Sequence, residues 1–476
     1  MKNNILFIIL LFVCVLTIES QTYNSLYHSK FIPERHLVNP SYQPLPGFYL
    51  GVDAALTTYL PFALQDIADI ESIGDTTNMV LSNSKLNELK GSKLLRAELL
   101  GAFSFGFRVN NKTYITFNLS PKVFSHAGLP IEGISDYLST AKMDLSELNM
   151  LGMGYNEFAF GFSQRSDNNV TLGVKLKYLS GLGIFQTQNN GLKISTSSGD
   201  GYLESDIEVQ TQLPVSIVEN NEGHPNFDSL EIAEFSSFND YKEVFLNSGS
   251  GFGLDIGISV KPSKKFSFSA SVIDFGYINW KSTPYSLNIK GDYNTRGVPL
   301  DSLIGNDNDY TFNAQDTLNA YFDFQSSRAA FTTFTPVQIF IGAEYDITPT
   351  VGVGIVSNTR FVQSKPYQQF TLSLNTRLGR TLSFSPTVSM YNYSDPACGF
   401  LLAMRPVLPF LHIYFGVDNI PLPFKYYVDS SKKFYNFDEV SILPSNMYGI
   451  AIRFGLNFVI GYNSYERKLK DKPLIF

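Results

Sequence analysis

The sequence predicts an all-β protein, a transmembrane antiparallel β-barrel of about 14 strands in the outer membrane of a Gram-negative cell. Three observations predict it: a secretory signal at the start, long stretches in which apolar and polar residues alternate, and 40 Phe and 27 Tyr with only 17% charged residues. Alternation with period two marks strands with one apolar and one polar face. A soluble β-sandwich alternates too, but the aromatic content and strands long enough to cross a tilted bilayer favour the membrane barrel.

The first residues predict a signal peptide that is cleaved between Ser20 and Gln21. Lys2 gives a positive start, and an apolar run extends from Ile5 to Leu16. Two alternatives remain. One is a lipoprotein signal at Cys14, and the other is an uncleaved anchor, for which the run is short.

No linker divides the chain, so we expect one body after the signal. The predicted divisions are the signal at 1–20, an amino-terminal segment at 21–95 with the first strand and a plug-like part, and the rest of the barrel at 96–476. The apolar residues from Pro61 to Leu95 have helical spacing, which predicts a helix in this stretch. The two alternatives are a plug inside the barrel and a loop helix outside it. A shorter helix is predicted from Ile131 to Leu138.

The last strong strand shows the alternation most clearly, with apolar side chains at every second position from Ile450 to Ile460. The same pattern holds from Leu172 to Tyr178 and from Phe266 to Val272. Further strands are predicted to start near Pro46, Leu95, Thr113, Tyr155, Gly251, Pro336, Val351, Phe370, Leu382, Gly399 and Leu411.

Two polar, acidic stretches, near Asn189 to Ser250 and Tyr285 to Ala330, are too long for periplasmic turns. We therefore expect them to be extracellular loops. Within the second, Asn306 to Asp309 partly matches a calcium loop, but the required glycine and glutamate are missing, so a solvated loop is the better interpretation.

Composition argues against several functions. The net charge of −7 argues against nucleic acid as a partner, because a protein that binds nucleic acid needs a basic face. Once the signal is removed, Cys398 is the one cysteine left, so neither a disulfide nor a metal site of paired cysteines can form. The five histidines are scattered, and no hydrolase, phosphate-binding or dinucleotide motif occurs. We expect no cofactor, no metal and no catalytic residue.

His412 is the only histidine that the alternation places in a strand, on the polar face with Tyr414. Some barrel enzymes that act on lipids use a Ser/His pair at the membrane edge. A hydrogen-bonded histidine inside the barrel is the plainer interpretation.

The polar faces of the strands predict which charged side chains point into the barrel. A barrel of about 14 strands is too wide for side chains alone to fill, so it must hold water, a plug or a ligand. Charges that pair across the interior are the plainer interpretation, and a transport path is the alternative. The predicted inward residues are Glu157, Lys175, Lys177, Asp255, Glu344, Arg377 and Arg453.

Five segments carry a family resemblance: Ile32–Pro44, Tyr155–Phe162, Leu172–Gly181, Gly253–Gly257 and Ser271–Trp280. Together they resemble a family of uncharacterised outer-membrane barrel proteins, known only as a domain of unknown function, which is similar to FadL-type transporters of hydrophobic compounds. One departure is that the chain continues from Asn463 to Phe476 after its last strong strand.

The resemblance implies a barrel into which the amino-terminal segment tucks around an Asn-Pro element, here Asn39-Pro40. It also implies passive transport or binding of small hydrophobic molecules. Related barrels serve as shuttle or docking components of protein secretion, so docking without transport is the alternative. The expected partners are outer-membrane lipid, a small hydrophobic ligand or secretion-system proteins.

Overall fold

The computed structural model describes most of the chain after the predicted signal. The described residues are 24–59, 68–73, 76–81, 92–166, 169–197, 200–212, 215–219, 225–232, 248–282, 284–294, 322–363, 365–379, 381–391, 397–405, 410–421 and 449–462. The signal site at Ser20 and Gln21, the alternative at Cys14, and Asn306 to Asp309 lie outside these ranges.

Strands dominate the described chain. In chain order they are β1 Pro46–Tyr59, β2 Ala68–Ile73, β3 Thr76–Leu81, β4 Ser92–Arg108, β5 Thr113–Pro130, β6 Lys142–Asp144, β7 Asn149–Arg165, β8 Val170–Ser197, β9 Asp200–Gln212, β10 Val215–Glu219, β11 Pro225–Ile232, β12 Gly249–Val260, β13 Phe266–Trp280, β14 Tyr285–Asn294, β15 Phe322–Ser327, β16 Phe331–Phe334, β17 Gln338–Asp346, β18 Val351–Val362, β19 Lys365–Leu378, β20 Leu382–Tyr391, β21 Ala397–Met404, β22 Leu411–Pro421 and β23 Gly449–Tyr462. The described helices are Asn24–Tyr27, the 3-10 helix Pro33–Leu37, and Ile131–Thr140.

Fourteen of these strands close into an antiparallel barrel, which confirms the predicted fold class. The ring order is β1, β4, β5, β7, β8, β12, β13, β17, β18, β19, β20, β21, β22 and β23. β1 pairs with both β4 and β23, and Pro46 faces Tyr462 at the closing seam. Closure leaves no strand edge in the lipid, where an unpaired backbone group has no water to bond.

The alternation seen in the sequence separates the two faces of the barrel. On β23, Phe454 and Ile460 are 50% and 53% exposed, whereas Arg453 and Asn457 on the other face are 3% and 0% exposed. Aromatic rings also pack across neighbouring strands on the outer face, as Phe105 stacks on Phe117 with ring centroids 4.8 Å apart. The outer face is therefore apolar and the inner face polar, as a bilayer requires.

The two ends of the barrel differ in the length of their connections. At the short-turn end, connections of only three to six residues join β4 to β5, β7 to β8, β12 to β13, β17 to β18, β19 to β20, and β21 to β22. Asn110 stabilises the first of these turns, since its Oδ1 accepts the N–H groups of Lys112 and Thr113 at 2.8 and 2.9 Å. Most connections at the opposite, long-loop end are much longer, such as the one between β8 and β12.

Additional strands extend the wall at the long-loop end. β8 is 28 residues long; its second half pairs with β9, which pairs with β14, which pairs with β15. The stretches predicted as loops near Asn189–Ser250 and Tyr285–Ala330 therefore contain paired strands where they are described. The sequence missed them because these strands are largely polar and show no sustained apolar alternation.

The predicted helix in Pro61–Leu95 is wrong where this stretch is described. β2 and β3 form an antiparallel hairpin with Ala68 opposite Leu81, and β4 already starts at Ser92. Of the residues that suggested the helix, Leu64, Ile67, Leu86 and Leu89 lie outside the described ranges, and Ala68 is the first residue of β2. Thr76, Thr77 and Val80 are β-branched and favour a strand over a helix.

The shorter helical prediction is confirmed, since Ile131–Thr140 is an α-helix after β5. Ile131 is 2% exposed, and Gly133 lies against the backbone of Asp144, where a Cβ atom would overlap the carbonyl oxygen. The glycine thus permits the close packing of this helix on β6.

None of the helices in the described ranges is long and apolar enough to cross a membrane.

Candidate functional site

The amino-terminal segment, residues 24–44, lies inside the ring. Its contacts reach walls far apart on the barrel: Asn24 donates to Thr371 Oγ1 of β19 at 2.9 Å, and Asn457 of β23 donates to Glu34 Oε2 at 3.1 Å. Tyr27 shares a 2.9 Å hydrogen bond with Ser269 Oγ of β13. Because β13, β19 and β23 surround it, the segment occupies the middle of the lumen.

Asn39 and Pro40, the predicted plug element, are held against β8, β12 and β13. Asn39 is fully buried; its Oδ1 accepts the backbone N–H of Ser41 at 3.0 Å, and its Nδ2 donates to Ala270 O at 3.2 Å. A Cβ atom on Gly173 would overlap the Pro40 backbone, and one on Gly257 would overlap the Asn39 side chain. Glycines on two walls therefore leave the room that this turn occupies.

Four of the seven predicted inward residues meet in the middle of the barrel. Lys177 Nζ lies 3.1 Å from Glu157 Oε2 and 2.7 Å from Asp255 Oδ1. Lys175 is 1% exposed beside them. The four share a small cavity that also reaches Asp53, with room of about 10 Å³, enough for one water molecule.

Lys122 and Asp274 complete this group, and the sequence analysis missed both. Lys122 Nζ lies 2.8 Å from Glu157 Oε2 and 2.7 Å from Asp274 Oδ1, and Lys177 Nζ also lies 2.7 Å from Asp274 Oδ1. We call Lys122, Glu157, Lys177, Asp255 and Asp274 the central ion cluster. With Lys175 buried beside it, its two lysines and three carboxylates form a set of three cations and three anions, a balance that burial favours.

A β-bulge explains why Asp274 was missed. Leu254 faces Phe275 and Ile256 faces Val272, so Asp255 opposes two residues of β13. Asp274 adopts a positive φ of 60°, and its N–H donates to Asp255 Oδ1 at 2.7 Å. The sequence signal is a change of parity, because Phe266 and Phe268 face outward before the bulge and Phe275 and Tyr277 after it.

Arg453 forms a second buried ion pair, at the seam where the barrel closes. Its Nε and Nη2 donate to the Asp53 carboxylate at 2.8 and 2.7 Å, and the Tyr414 hydroxyl donates to the same group. This bidentate geometry joins β1 to β23 on the inner face.

Glu34 lies beside this pair on the 3-10 helix of the amino-terminal segment and is fully buried. Burial, together with the nearby Asp53 carboxylate, raises the pKa of Glu34 to about 8. The carboxyl group is therefore mostly neutral at pH 7, which lowers the free-energy cost of burying it in the lumen.

A third ion pair crosses the lumen nearer the long-loop end. Glu98 on β4 accepts from Arg96 Nε at 2.9 Å and from Arg360 Nη2 on β18 at 2.6 Å. β4 and β18 are separated by six strands in either direction around the ring. Arg360 and Glu98 thus connect opposite walls, and His126 Nε2 lies 3.4 Å from the same carboxylate.

The remaining predicted residues, Glu344 and Arg377, lie at the short-turn end, away from the central ion cluster. Lys30 Nζ lies 3.0 Å from Glu344 Oε1 and 2.6 Å from Asp346 Oδ1, and the Arg377 guanidinium lies 4.3 Å from the centre of the Phe31 ring. They bound a cavity with room of about 30 Å³. These contacts fix the amino-terminal segment at its short-turn end.

An apolar layer lies in the lumen between the central ion cluster and the long-loop end. On three strands the next inward residue beyond a charged one is apolar: Phe124 follows Lys122, Tyr155 precedes Glu157, and Leu179 follows Lys177. The layer comprises Phe124, Leu151, Met153, Tyr155, Leu179, Ile184, Ile278, Trp280 and Val362.

Trp280 is fully buried in this layer and is the only tryptophan of the chain. Its Nε1 donates to Thr333 Oγ1 at 2.8 Å, and its ring packs against Gly181 of β8. Inward positions of a wide barrel are normally polar, so this apolar lining was not expected from the alternation.

His412 lies in β22 as predicted, 2% exposed and facing the lumen with Tyr414. The lipid-acting alternative needs a histidine that reaches the lipid, and His412 faces away from it. The expectation that His412 is the only histidine in a strand is wrong, since His126 lies in β5. Within the described ranges, no three His, Cys, Asp or Glu side chains are arranged to hold a metal ion.

Comparison with known proteins gives a family match over most of the chain. The model of a family of unknown function, DUF5723, matches residues 40–418. A comparison with curated proteins finds no match.

Solved barrels are similar to this chain over nearly its whole length. The toluene transporter TbuX of Ralstonia pickettii has 8% identity and a TM-score of 0.42, with 94% of this chain and 100% of that chain covered. A Pseudomonas aeruginosa FadL homologue has 10% identity and a TM-score of 0.41, with 93% and 96% covered. The Pseudomonas putida toluene transporter TodX has 9% identity and a TM-score of 0.39, with 93% and 98% covered.

Proposed function

Since the chain belongs to the family of unknown function DUF5723, whose description assigns no activity, we propose a function from the geometry. The protein is an outer-membrane barrel that takes up small hydrophobic molecules passively and binds them in the apolar layer. The observation that carries the proposal is this layer of inward apolar side chains below the long-loop end.

An apolar lining inside a wide barrel favours an apolar ligand. The members of the layer are at most 4% exposed, so a hydrophobic molecule binds by moving between side chains that pack against one another, and it gains free energy by leaving water. The aromatic members, Phe124, Tyr155 and Trp280, are suited to flat or chain-like hydrophobic groups, and Thr333 satisfies the one indole N–H.

The path through the lumen from the apolar layer to the short-turn end is closed. The central ion cluster lies directly below it, and the amino-terminal segment fills the middle of the lumen. A bound molecule can pass toward the short-turn end only when the segment moves. Binding in the apolar layer is therefore the first step, and release of the segment controls the second.

Trp280 gives a direct test of binding. Purified protein in detergent is titrated with 1-bromonaphthalene, whose bromine quenches indole fluorescence at close range. Since Trp280 is the only tryptophan, we expect saturable quenching. Brominated phospholipids, which reach only the outer face, serve as the control and should quench weakly. Absence of saturable quenching would count against the proposal.

A matched pair of variants on β8 locates the binding. Leu179 faces the apolar layer and is 2% exposed, whereas Leu176 faces outward and is 61% exposed. We expect Leu179→Ala to weaken 1-bromonaphthalene binding about fivefold, because a lining side chain is lost, and Leu176→Ala to leave it unchanged. Equal effects of the two variants would place the probe in the detergent.

A second function, docking in protein secretion without transport, is favoured by the closed interior. The two cavities described above have room of about 10 and 30 Å³, enough only for water. If the barrel only docks, liposomes that contain it should exclude hydrophobic solutes, and cross-linking in native membranes should recover secretion components. Recovery of abundant bystanders alone would leave no support for docking.

A further inference from the structure

Six cations lie close together at the short-turn end, on three successive hairpin turns. We call them the basic arc: Arg108, Lys112, Arg165, Lys261, Lys264 and Lys265. The turns join β4 to β5, β7 to β8, and β12 to β13, and these six strands are consecutive neighbours in the ring. The arc therefore covers one side of the barrel mouth.

The basic arc contrasts with the rest of the molecule. The chain has a net charge of −7, and residues 198–248 at the long-loop end contain eleven Asp or Glu and one Lys. An acidic stretch thus belongs to one end of the barrel, and the basic arc to the other. A charge separation of this kind creates a field that selects partners by sign.

In the sequence, residues 108–112, 165–169 and 261–265 contain six cations and one carboxylate, that of Asp167. Within the described ranges, Arg165, Lys261, Lys264 and Lys265 form no ion pair with a carboxylate. Lys261 experiences the like charges of Lys30, Arg35 and Arg165, and Glu344 is the carboxylate near it. Glu344 already pairs with Lys30 at 3.0 Å. Like charges at short range raise the electrostatic energy, which a bound anion would lower.

The arc also lies at the level where the apolar outer face ends. Phe266 is 48% exposed on that face and directly follows Lys265, whose Nζ lies 5.7 Å from the centre of the Tyr345 ring. Val109, 53% exposed, directly follows Arg108, whose guanidinium donates to Gln43 Oε1 at 3.1 Å and to Pro44 O at 2.7 Å and so holds the amino-terminal segment. Side chains at this boundary of a barrel meet the lipid headgroups.

We propose that the basic arc binds the phosphate groups of anionic phospholipids in the leaflet at the short-turn end. Position at the headgroup level, a surplus of cations and exposed lysines favour a lipid over a soluble partner. Attraction of anionic headgroups by clustered Lys and Arg is strong near a membrane surface and is screened by salt.

The test compares two lipids on the full-length protein. Delipidated protein is mixed with phosphatidylglycerol or phosphatidylcholine in a neutral detergent, and native mass spectrometry counts the lipids retained. We expect a preference for phosphatidylglycerol that decreases with added salt. The triple variant Lys261→Gln, Lys264→Gln, Lys265→Gln should lose at least about tenfold of this preference, since each lysine contributes to attraction.

Three lysines at the opposite end give a matched control, namely Lys142→Gln, Lys281→Gln and Lys290→Gln, and the preference should survive in it. Heat-modifiable gel mobility verifies that both triple variants are folded. Equal retention of the two lipids by the native protein would overturn the proposal, as would an unchanged preference in the arc variant. Tighter binding of a poly-aspartate peptide than of phosphatidylglycerol would overturn it in favour of an acidic protein partner.

Discussion

At the scale of single residues, Asp274 joins the two lysines of the central ion cluster. Its Oδ1 lies 2.7 Å from both Lys122 Nζ and Lys177 Nζ, and its backbone conformation depends on the bulge in β13. No other carboxylate of the cluster is placed by a change in strand parity. The residue therefore combines charge balance with local backbone geometry.

We expect Asp274→Asn to destabilise the barrel by about 3–5 kcal/mol, because it leaves two buried lysines with less compensating charge. Urea unfolding followed by tryptophan fluorescence measures the change. Asp206→Asn is the control, since Asp206 pairs with a largely exposed Lys290 at 3.3 Å. That pair should contribute less than about 1 kcal/mol. Similar losses in both variants would contradict the importance of burial.

Glu34 predicts a pH dependence of the amino-terminal segment. Its pKa is raised from 4.5 to about 8, so the folded state binds a proton that the unfolded chain releases. Stability therefore falls as pH rises from about 5 to 8, by at most about 1.4 kcal/mol per pH unit. Glu34→Gln should remove this slope. Thermal unfolding between pH 5 and 9 measures it, and an unchanged slope in the variant would assign it to another group.

The sequence could predict which residues face inward only where the alternation is unbroken. Glu157, Lys175 and Lys177 lie in regular parts of β7 and β8, and the structure places all three in the lumen. Asp274 lies at the bulge, where the parity changes. The sequence also does not predict which inward charges form ion pairs. Contacts such as that of Arg360 with Glu98 depend on the order of the strands around the ring.

At the scale of elements, the amino-terminal segment depends on glycines of the strands that surround it. We expect Gly173→Ala to displace the turn at Asn39 and Pro40, since the new Cβ atom would overlap the Pro40 backbone. Planar-bilayer recordings should then show ion conductance above that of the native protein. Gly154→Ala is the control, because its Cβ atom would make only ordinary contacts at 3.6 Å. Silent recordings from a folded Gly173→Ala variant would show that the turn is not needed for closure.

The strands of the ring were predictable from the sequence because lipid outside and polar groups inside impose a strict period of two. The hairpin of β2 and β3 and the strands β9, β14 and β15 were not, since neither face of these elements is required to be apolar. The helical spacing came mainly from residues that flank β2 and β3, and the other strands showed no clear period.

At the scale of the whole molecule, the pair of Arg360 and Glu98 ties opposite walls and narrows the lumen at the level of the apolar layer, where Glu98 lies opposite Phe124. We expect Arg360→Gln to raise the access of hydrophobic probes, because the connection across the lumen is lost while Arg96 still neutralises Glu98. The rate of Trp280 quenching in stopped-flow mixing measures access. Lys281→Gln, at an exposed site beyond β13, is the control. Identical rates would show that the pair does not restrict entry.

The closing seam sets an order for the assembly of the molecule. β1 and β23 are nearly the whole chain apart in sequence, so the ring can close only after synthesis is complete. Glu34 bonds to Asn457 on one side of this seam, while Asn24 reaches the far wall at Thr371. The amino-terminal segment must therefore lie inside the barrel before β1 pairs with β23. If β1 and β23 pair without the segment in place, the barrel that forms has an empty lumen.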